Sequence, residues 1–478
     1  MEDPLRLPEI VLGGLLLFAA AYWHQRNVFA PTPVSRLDIL HAVVEDGTLA
    51  IDRHRTNTCD LAFREGHYYS DKAPGTVTLA LPFFAATVRV LAAVGVPLDS
   101  PAGWLASSWV TCVATQGMAL ALGGVALWSW LRRRVEARAA MVTVLVLTLG
   151  GMPLYYATAL WSHTVVVGLL SVAVWSVDLL GTAPGNRRMG LAGVCVGLAL
   201  ASEYTAGLVA AGLVLHLAVR RGPGLLWFLV GAGVPLLLVP AYSWATIGTP
   251  FDLPYSFQAR FPEMREGLFA IKWPRLDIAG MLLFSPERGL FFWSPFLLLA
   301  VAREAELRGK GWWLCIGLPL LQLVVISGRG WDWQAGPSIG PRYLAPMLPL
   351  LALPCAMGVT ALPRLAGALG VLSVVLTTVT IAVGSILRAE TPSPLTFFLW
   401  DLRHMDLNPS LGGLVGMPEW LSLLVFCTML GAGIAYAVWL AGRDLRNSQS
   451  PSAEGPVPVA DNPSCCREAP GRGTQAAG

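Results

Sequence analysis

Thirteen apolar segments recur along the chain, near residues 7–24, 76–95, 104–131, 139–157, 164–181, 189–202, 204–219, 225–246, 288–302, 311–327, 343–361, 364–386 and 418–441. About 20 apolar residues are what an α-helix needs to cross the hydrocarbon core of a bilayer. Inside lipid each backbone N–H and C=O must find its partner without water, so spanning segments are helices or closed barrels. Runs this long in Leu, Ala, Val and Gly read as helices, since barrel strands are shorter and alternate. Composition agrees: 13% of the residues are charged, against about 25% in soluble domains, and the mean hydropathy is +0.59. The expected fold class is therefore an all-α polytopic membrane protein.

Other classes are excluded on similar grounds. The basic residues fall in short scattered clusters, so no nucleic-acid surface is expected. Of the eight cysteines, five lie inside apolar runs and two lie in the tail, which is neither a disulfide framework nor zinc-site spacing. The first run, Leu7 to Tyr22, lacks a small-residue cleavage pattern and reads as a retained helix.

The linkers are of two kinds. Arg132–Arg134 with Arg138, Arg187-Arg188, Arg220-Arg221, Arg303 with Arg308 and Lys310, Arg364, and Arg443 with Arg446 make short basic linkers. Residues 25–75, 247–287, 328–342 and 387–417 are long and carry Trp, Tyr, Pro, Gly and mixed charge. Basic linkers stay in the cytoplasm. From residue 104 onward the two kinds alternate, and the alternation closes only if 76–95 does not cross. Arg89 and Pro82 within that segment point the same way. This gives about twelve transmembrane helices in a plasma (inner) membrane, both termini cytoplasmic, and juxtamembrane helices in a first outer loop spanning 25–103. One polytopic domain covers 1–446. Residues 447–478, rich in Pro, Ser, Gly and Ala, read as a disordered cytoplasmic tail.

Chemistry concentrates in the outer loops. In the first, Leu37, Leu40, Val43 and Val44 fall at helical spacing, which predicts a short amphipathic helix over 35–46 lying on the membrane. Around it stand Asp38, Asp46, Asp52, Asp60 and Asp71, with Gly, Pro and aromatic residues between them. Asp71 is followed directly by Lys72 in "GHYYSDKAPG", residues 66–75. Neighbouring side chains in an extended loop point apart, so each is expected to have its own partner. As an exposed pair they would add only about 0–1 kcal/mol to stability.

"GHYYSDKAPGTVTLALPFF" resembles the acid-Lys-Pro segment that closes the first outer loop in the GT-C superfamily of membrane glycosyltransferases. Within that superfamily the chain most resembles the bacterial glycosyltransferase 39-like proteins, relatives of the protein O-mannosyltransferases and of the aminoarabinose transferase of lipid A. The resemblance rests on Ser35-Arg36, Gly47-Thr48-Leu49, Ile51-Asp52, Asp60, residues 66–75, "LLFSPERGLFFWSP" (282–295) and "GWDWQAGPSIGPRYLAPMLP" (330–349), in that order. It implies a GT-C-like fold and an inverting hexosyltransferase. The donor would be a polyprenyl-phosphate sugar, the acceptor a lipid, glycan or protein at the outer face, and membrane lipids the surroundings.

The chemistry implied has definite needs. Charge builds on the leaving phosphate as the sugar–oxygen bond breaks, so a cation must stand there. Lys72 and Arg342 suit it, and Arg36, Arg288, Tyr69, Trp333 and Tyr343 are further substrate-binding candidates. A carboxylate must accept the acceptor's proton or hold a divalent metal cation. The candidates are Asp71, Asp52, Asp60 and Asp38; the Asp-Glu pair that opens the first loop helix in relatives is replaced here by Pro33-Val34-Ser35-Arg36. Asp71 and His163 are the candidate metal ligands; His163 equally suits a phosphate contact or a helix cap. Tyr155, Tyr156 and Trp161 fit an interfacial aromatic belt. Glu203 sits at another helix end, where an acid is costly in lipid and should face a cavity. Trp331, Asp332 and Trp333 form either a sugar-stacking platform or an interfacial anchor. A transporter or lipid flippase, or a non-catalytic relative of the fold, are the competing readings.

The topology is checked by cysteine labelling in intact cells. Cysteines at Thr56 and Arg133 should react from opposite sides of the membrane; reaction of both from one side overturns the alternation.

Overall fold

The computed structural model describes residues 6–26, 30–181, 184–220, 224–266, 270–303, 306–307, 310–330, 332–383, 391 and 393–449. The apolar runs are helices. Six are long and apolar enough to cross a membrane: Gly75–Ala93, Pro101–Leu131, Gly224–Ile247, Arg342–Ala361, Pro363–Ala382 and Glu419–Arg443. Five shorter apolar helices accompany them, Leu7–Tyr22, Ala137–Leu149, His163–Val177, Tyr204–Val219 and Trp313–Ile326. Asn186–Ser202 packs between His163–Val177 and Gly224–Leu236. Among the described residues the only sheet is one two-stranded hairpin. The chain is an all-helical polytopic membrane protein.

Small residues set the tightest helix contacts. A Cβ on Gly193 would meet the Phe228 carbonyl oxygen at 2.1 Å, and one on Gly197 would meet that of Ala232 at 2.3 Å. Lipid tails are as apolar as Leu, so helices in a bilayer associate through such close backbone approach.

Three segments depart from the sequence reading. Residues 288–302 are not one helix: Leu290–Trp293 is a single turn, Ser294-Pro295 interrupts it, and Pro295–Val301 continues as 3₁₀. Proline at 295 lacks the N–H that an α-helix would need there. The first-loop helix runs Pro31–His41, and every residue from Thr32 to His41 is buried. It is therefore no surface-lying amphipathic helix; it is sandwiched under the hairpin and against Gly75–Ala93. In the expected tail, residues 447–449 extend the last helix, Glu419–Gln449, and 450–478 lie outside the described residues.

The first loop has its own core. Leu37, Leu40, Ile51 and Leu61 pack with Val77, Ala80 and Phe84, and with Tyr242 from a distant helix. Gly75–Ala93 is thus tied to the loop by one face, Thr76, Val77, Ala80, Phe84 and Leu91. Its 19 residues are long and apolar enough to cross a bilayer, so its surface placement remains a proposal resting on the charge alternation.

Gly75 itself sits hard against the end of Asn186–Ser202. A Cβ there would lie 2.7 Å from the Ala201 carbonyl carbon and 2.6 Å from Ser202 Oγ. Overpacking of this kind costs about 1–3 kcal/mol. Gly75→Val should lower the melting temperature of the purified protein measurably. Gly280→Ala, in a helix where nothing lies within 4 Å of the added methyl, should not.

Candidate functional site

The hairpin explains why Asp60 and Asp71 meet. Strands Leu61–Arg64 and His67–Ser70 pair with Leu61 opposite Ser70, closed by a Glu65-Gly66 turn with φ of 52° and 89°. The next position outward in that register is Asp60 opposite Asp71. Lys72 Nζ lies 3.0 Å from Asp60 Oδ2 and 3.0 Å from Asp71 Oδ1, so Lys72 does pair with its own neighbour. The expectation of separate partners is corrected. Both carboxylates come to one side because the strand ends at Ser70 and the chain turns toward Pro74. The group is also buried rather than exposed, so removing Lys72 would strand two carboxylates, at a cost on the order of 3–5 kcal/mol.

Protonation follows from these contacts. Burial works against a charged Lys72, but Asp60 and Asp71 outweigh it and hold the ammonium well above its ordinary range. Burial would raise Asp60 too; Lys72 and the hydrogen bond from Thr32 overcome it, and Asp60 stays below the usual carboxylate range. Asp71 is pushed up to about 6 by burial, with Lys72 opposing and Asp60 adding to the rise. Asp60 is therefore the more readily ionised of the two.

The buried helix Pro31–His41 supplies the second wall. Thr32, Ser35 and Arg36 lie on one face, as i, i+3 and i+4 residues do. Thr32 Oγ1 donates to Asp60 Oδ2 at 2.7 Å, and Ser35 Oγ donates to the Asp60 carbonyl at 2.8 Å. Arg36 is fully buried, yet its hydrogen bond to the Thr32 carbonyl is a long one, 3.4 Å, and its Nε has no partner among the described residues. Burial lowers its pKa, with the Glu203 carboxylate the strongest opposing influence. Arg342 approaches from the opposite wall, its guanidinium 5.0 Å from the Trp161 ring centre and 5.3 Å from that of Tyr343. Its Nη1 reaches Thr32 Oγ1 at 3.4 Å, and its Nε is unpartnered. Thr32 thus joins Arg36, Arg342 and the Asp60–Lys72–Asp71 group. Sequence reading did not single out Thr32; a threonine beside two prolines carries no signal until the fold places it.

One cavity opens on this cluster, and a second lies beside it across Tyr343. The first, of about 320 Å³, is lined by Thr32, Asp60, Lys72, Trp161, Asp332 and Arg342 among others. The other, of about 250 Å³, is lined by Glu203, Tyr204, Tyr255, Arg329 and apolar residues such as Leu208 and Ile326. Tyr343 lines both. Its hydroxyl donates to Asp332 Oδ2 at 3.1 Å, and Arg329 pairs with the same oxygen at 2.7 Å. Tyr255 packs against Lys72, with the ammonium 5.1 Å from its ring centre.

Other candidates fall elsewhere. Asp52 braces the hairpin, accepting from the Tyr68 N–H at 2.7 Å and contacting His67 Nδ1 at 2.7 Å. Tyr69 is half-buried on the hairpin and does not line the cavities. Arg288 is fully buried with its guanidinium on the carbonyls of Glu287, Gln334 and Gly336, at 2.8–3.0 Å. It clamps the glycine-rich loop that carries Arg342 rather than facing a phosphate. Trp333 packs in the main core, so it is no sugar platform; Trp331 lies outside the described residues. Tyr155, Tyr156 and Trp161 are buried, and Tyr156 donates to the Ile339 carbonyl at 2.6 Å. They form the wall behind the site, not an interfacial belt.

His163 lies 3.7 Å from Glu203 Oε2, and its ring packs 4.8 Å from that of Tyr156. Ser162 Oγ donates to the same Glu203 oxygen at 2.9 Å. Among the described residues no three His, Cys, Asp or Glu side chains converge to hold a metal. Asp71 is already engaged by Lys72 and by Gln258 at 3.3 Å. Among the described residues the Asp71–His163 pair therefore gains no third ligand to make a metal-binding set.

No protein-family model matches the chain, and no curated protein sequence matches it. Among solved structures it is similar to the crystal structure of ArnT from Cupriavidus metallidurans in the apo state. The two are 17% identical, the match covers 91% of this chain and 76% of that one, and the TM-score is 0.47.

Asp38 remains to be placed. It is buried, accepts from Asn57 Nδ2 at 3.0 Å, and leaves Oδ2 without a partner. Burial pushes it up to about 7, against the lowering effect of that hydrogen bond. A carboxyl raised in the folded state stabilises it fully below the unfolded value of about 4. That stability is lost as pH rises through about 7. The melting temperature should therefore fall between about pH 4 and 7, and Asp38→Asn should flatten the fall. An unchanged slope in the variant overturns the assignment.

Proposed function

We propose that the chain is a glycosyltransferase taking its sugar from a polyprenyl-phosphate donor at the membrane surface. The observation that carries this reading is the convergence of Lys72 and Arg342 on Thr32 and Asp60 at a cavity walled by the first-loop helix, the hairpin base and the loop before Arg342, with Arg36 buried behind Thr32. Two of the cations are guanidinium groups without a carboxylate in direct contact. Burying a charge without an ionic partner costs heavily, and an anionic ligand would supply the missing partner. A planar guanidinium grips a phosphate through two parallel N–H donors.

Each residue then has a task. Arg342 holds the phosphate, Lys72 adds a second positive charge beside it, and Arg36 adds its charge from behind Thr32. In the reaction the acceptor's hydroxyl oxygen bonds to the anomeric carbon while the bond from that carbon to the phosphate oxygen breaks. The electron pair leaves on the polyprenyl phosphate, where the cations stabilise the developing charge. The acceptor proton passes to a carboxylate, and Asp60 is the candidate: it lines the cavity, is ionised, and is fixed by Thr32 and Lys72. Attack opposite the leaving group inverts the anomeric centre. The apolar wall of the second cavity, Leu208 and Ile326 with Ile271 and Val325, suits the first prenyl units.

The test is turnover of a panel of polyprenyl-phosphate hexoses by the purified protein, followed as loss of lipid-bound sugar. Arg342→Lys keeps the charge but loses the planar fork. It should slow turnover roughly 10²–10³-fold, the scale of removing one donor from a developing oxyanion, with the melting temperature unchanged. No sugar loss from any donor, or full activity in the variant, overturns the reading.

A further inference from the structure

The helix His163–Val177 carries His163 of the site at one end and leads to Asp178 at the other. At 1.5 Å per residue its 15 residues place the two ends about 22 Å apart. Around Asp178 lies a second cluster of guanidinium groups that the proposed chemistry does not use. Arg132, Arg133 and Arg134 follow directly on the long helix Pro101–Leu131, and Arg188 opens the helix Asn186–Ser202.

These arginines are held in a common way. The Arg132 guanidinium lies 4.6 Å from the Trp128 ring centre, that of Arg134 4.6 Å from Trp130, and that of Arg188 4.7 Å from Trp175. Stacking on the ring face fixes the plane of the cation without consuming its N–H donors. The acids are fewer. Glu9 pairs with Arg132 at 3.0 Å, and Asp178 pairs with Arg134. Arg188 donates from Nη2 to the Trp175 carbonyl at 2.7 Å, while its buried Nε has no partner. Arg133 makes no hydrogen bond or ion pair among the described residues. The charges that act on it are Asp178 and, opposing it, Arg134, Arg188 and Arg132; partial burial with the repulsion from these three outweighs Asp178 and holds it below the ordinary guanidinium range. Four arginines thus face two acids, an excess of two positive charges at the end of the bundle remote from Lys72.

We propose that Arg133 and Arg188, backed by Arg132 and Arg134, form a binding site for the phosphodiester headgroup of an anionic membrane lipid. The ligand class follows from the chemistry: one negative charge with several acceptor oxygens, presented at the level where a membrane helix ends. A juxtamembrane cluster of this kind attracts anionic lipid by about 1 kcal/mol per basic side chain. Trp128 and Trp130 are buried in the core, which makes them fixed platforms for the guanidinium groups. The site is independent of the sugar-transfer reading.

The experiment uses the full-length protein in a neutral detergent. Phosphatidylglycerol, phosphatidylcholine or inorganic phosphate is added, with native mass spectrometry and a thermal melt as readouts. Phosphatidylglycerol should remain bound and raise the melting temperature where phosphatidylcholine does not. Arg133→Gln removes a side chain with no partner, so its fold should be intact; it should weaken phosphatidylglycerol binding about fivefold, and the Arg133→Gln, Arg188→Gln double variant roughly 25–30-fold. Equal retention of the two lipids, or unaltered binding in Arg133→Gln, overturns the site. Displacement by inorganic phosphate at concentrations comparable to the lipid overturns the headgroup assignment in favour of a soluble-phosphate site.

Discussion

Everything at the candidate site depends on one buried ammonium. Lys72 stands between Asp60 and Asp71, 3.0 Å from each, and neither carboxylate could be buried without it. The two aspartates are 11 positions apart in sequence, and the hairpin between them brings them level. That arrangement ties three elements together. Asp60 holds the Pro31–His41 helix through Thr32 and Ser35, Asp71 accepts from Gln258 of a remote loop, and Pro74 starts the helix that packs against Ala201. A buried pair of this sort adds little net stability over an apolar equivalent. Its presence is better explained by the cavity it lines.

The uneven protonation of the two acids divides their work. Asp60 is held ionised on the cavity side, while Asp71 is sealed from solvent and raised toward neutrality. An acid in that position steadies the lysine from behind and leaves the front carboxylate free to act. In the proposed reaction the same division replaces the Asp-Glu pair expected at the first loop helix. Position 32 of that helix contributes a hydroxyl, position 36 a guanidinium, and the carboxylate comes from the hairpin base.

Much of this was legible in the sequence, and the rest was hidden for physical reasons. Apolar run length settled the helical membrane architecture, because a bilayer admits so few alternatives. The Asp71-Lys72 pair and Arg342 were visible because charge is rare in such a chain. The hairpin was not, although "LAFREGHYYS" carries two four-residue runs around Glu-Gly; strands that short give no periodicity to read. The aromatic residues were misjudged most. Tyr155, Tyr156, Trp161 and Trp333 look like interfacial anchors by composition, yet all four are buried. Composition cannot separate a ring at the headgroup level from a ring behind a site, since both need an apolar body and a polar tip. Arg288 failed likewise: its sequence neighbours suggested an exposed turn, and the carbonyls that occupy it belong to residues 334 and 336.

A common device links the two ends of the molecule. Arg342 lies over Trp161 and Tyr343 at the candidate site, and Arg188 lies over Trp175 at the far end, neither in an ion pair among the described residues. Pairing an arginine with a carboxylate fixes it but fills the same donors a phosphate would use. Resting it on an aromatic face fixes the plane through the ring's quadrupole and leaves the in-plane N–H groups pointing outward. A planar guanidinium can lie flat on a ring with its in-plane donors still directed outward, which the compact ammonium of a lysine cannot do. Lys72 shows the contrast: its compact ammonium is fixed by two carboxylates, and the cost of that fixing is that part of its charge is already spent. The arginines supply the unspent charge. A membrane protein that must receive an anion at the bilayer surface therefore needs both kinds of cation, one to hold the loop together and one to meet the ligand.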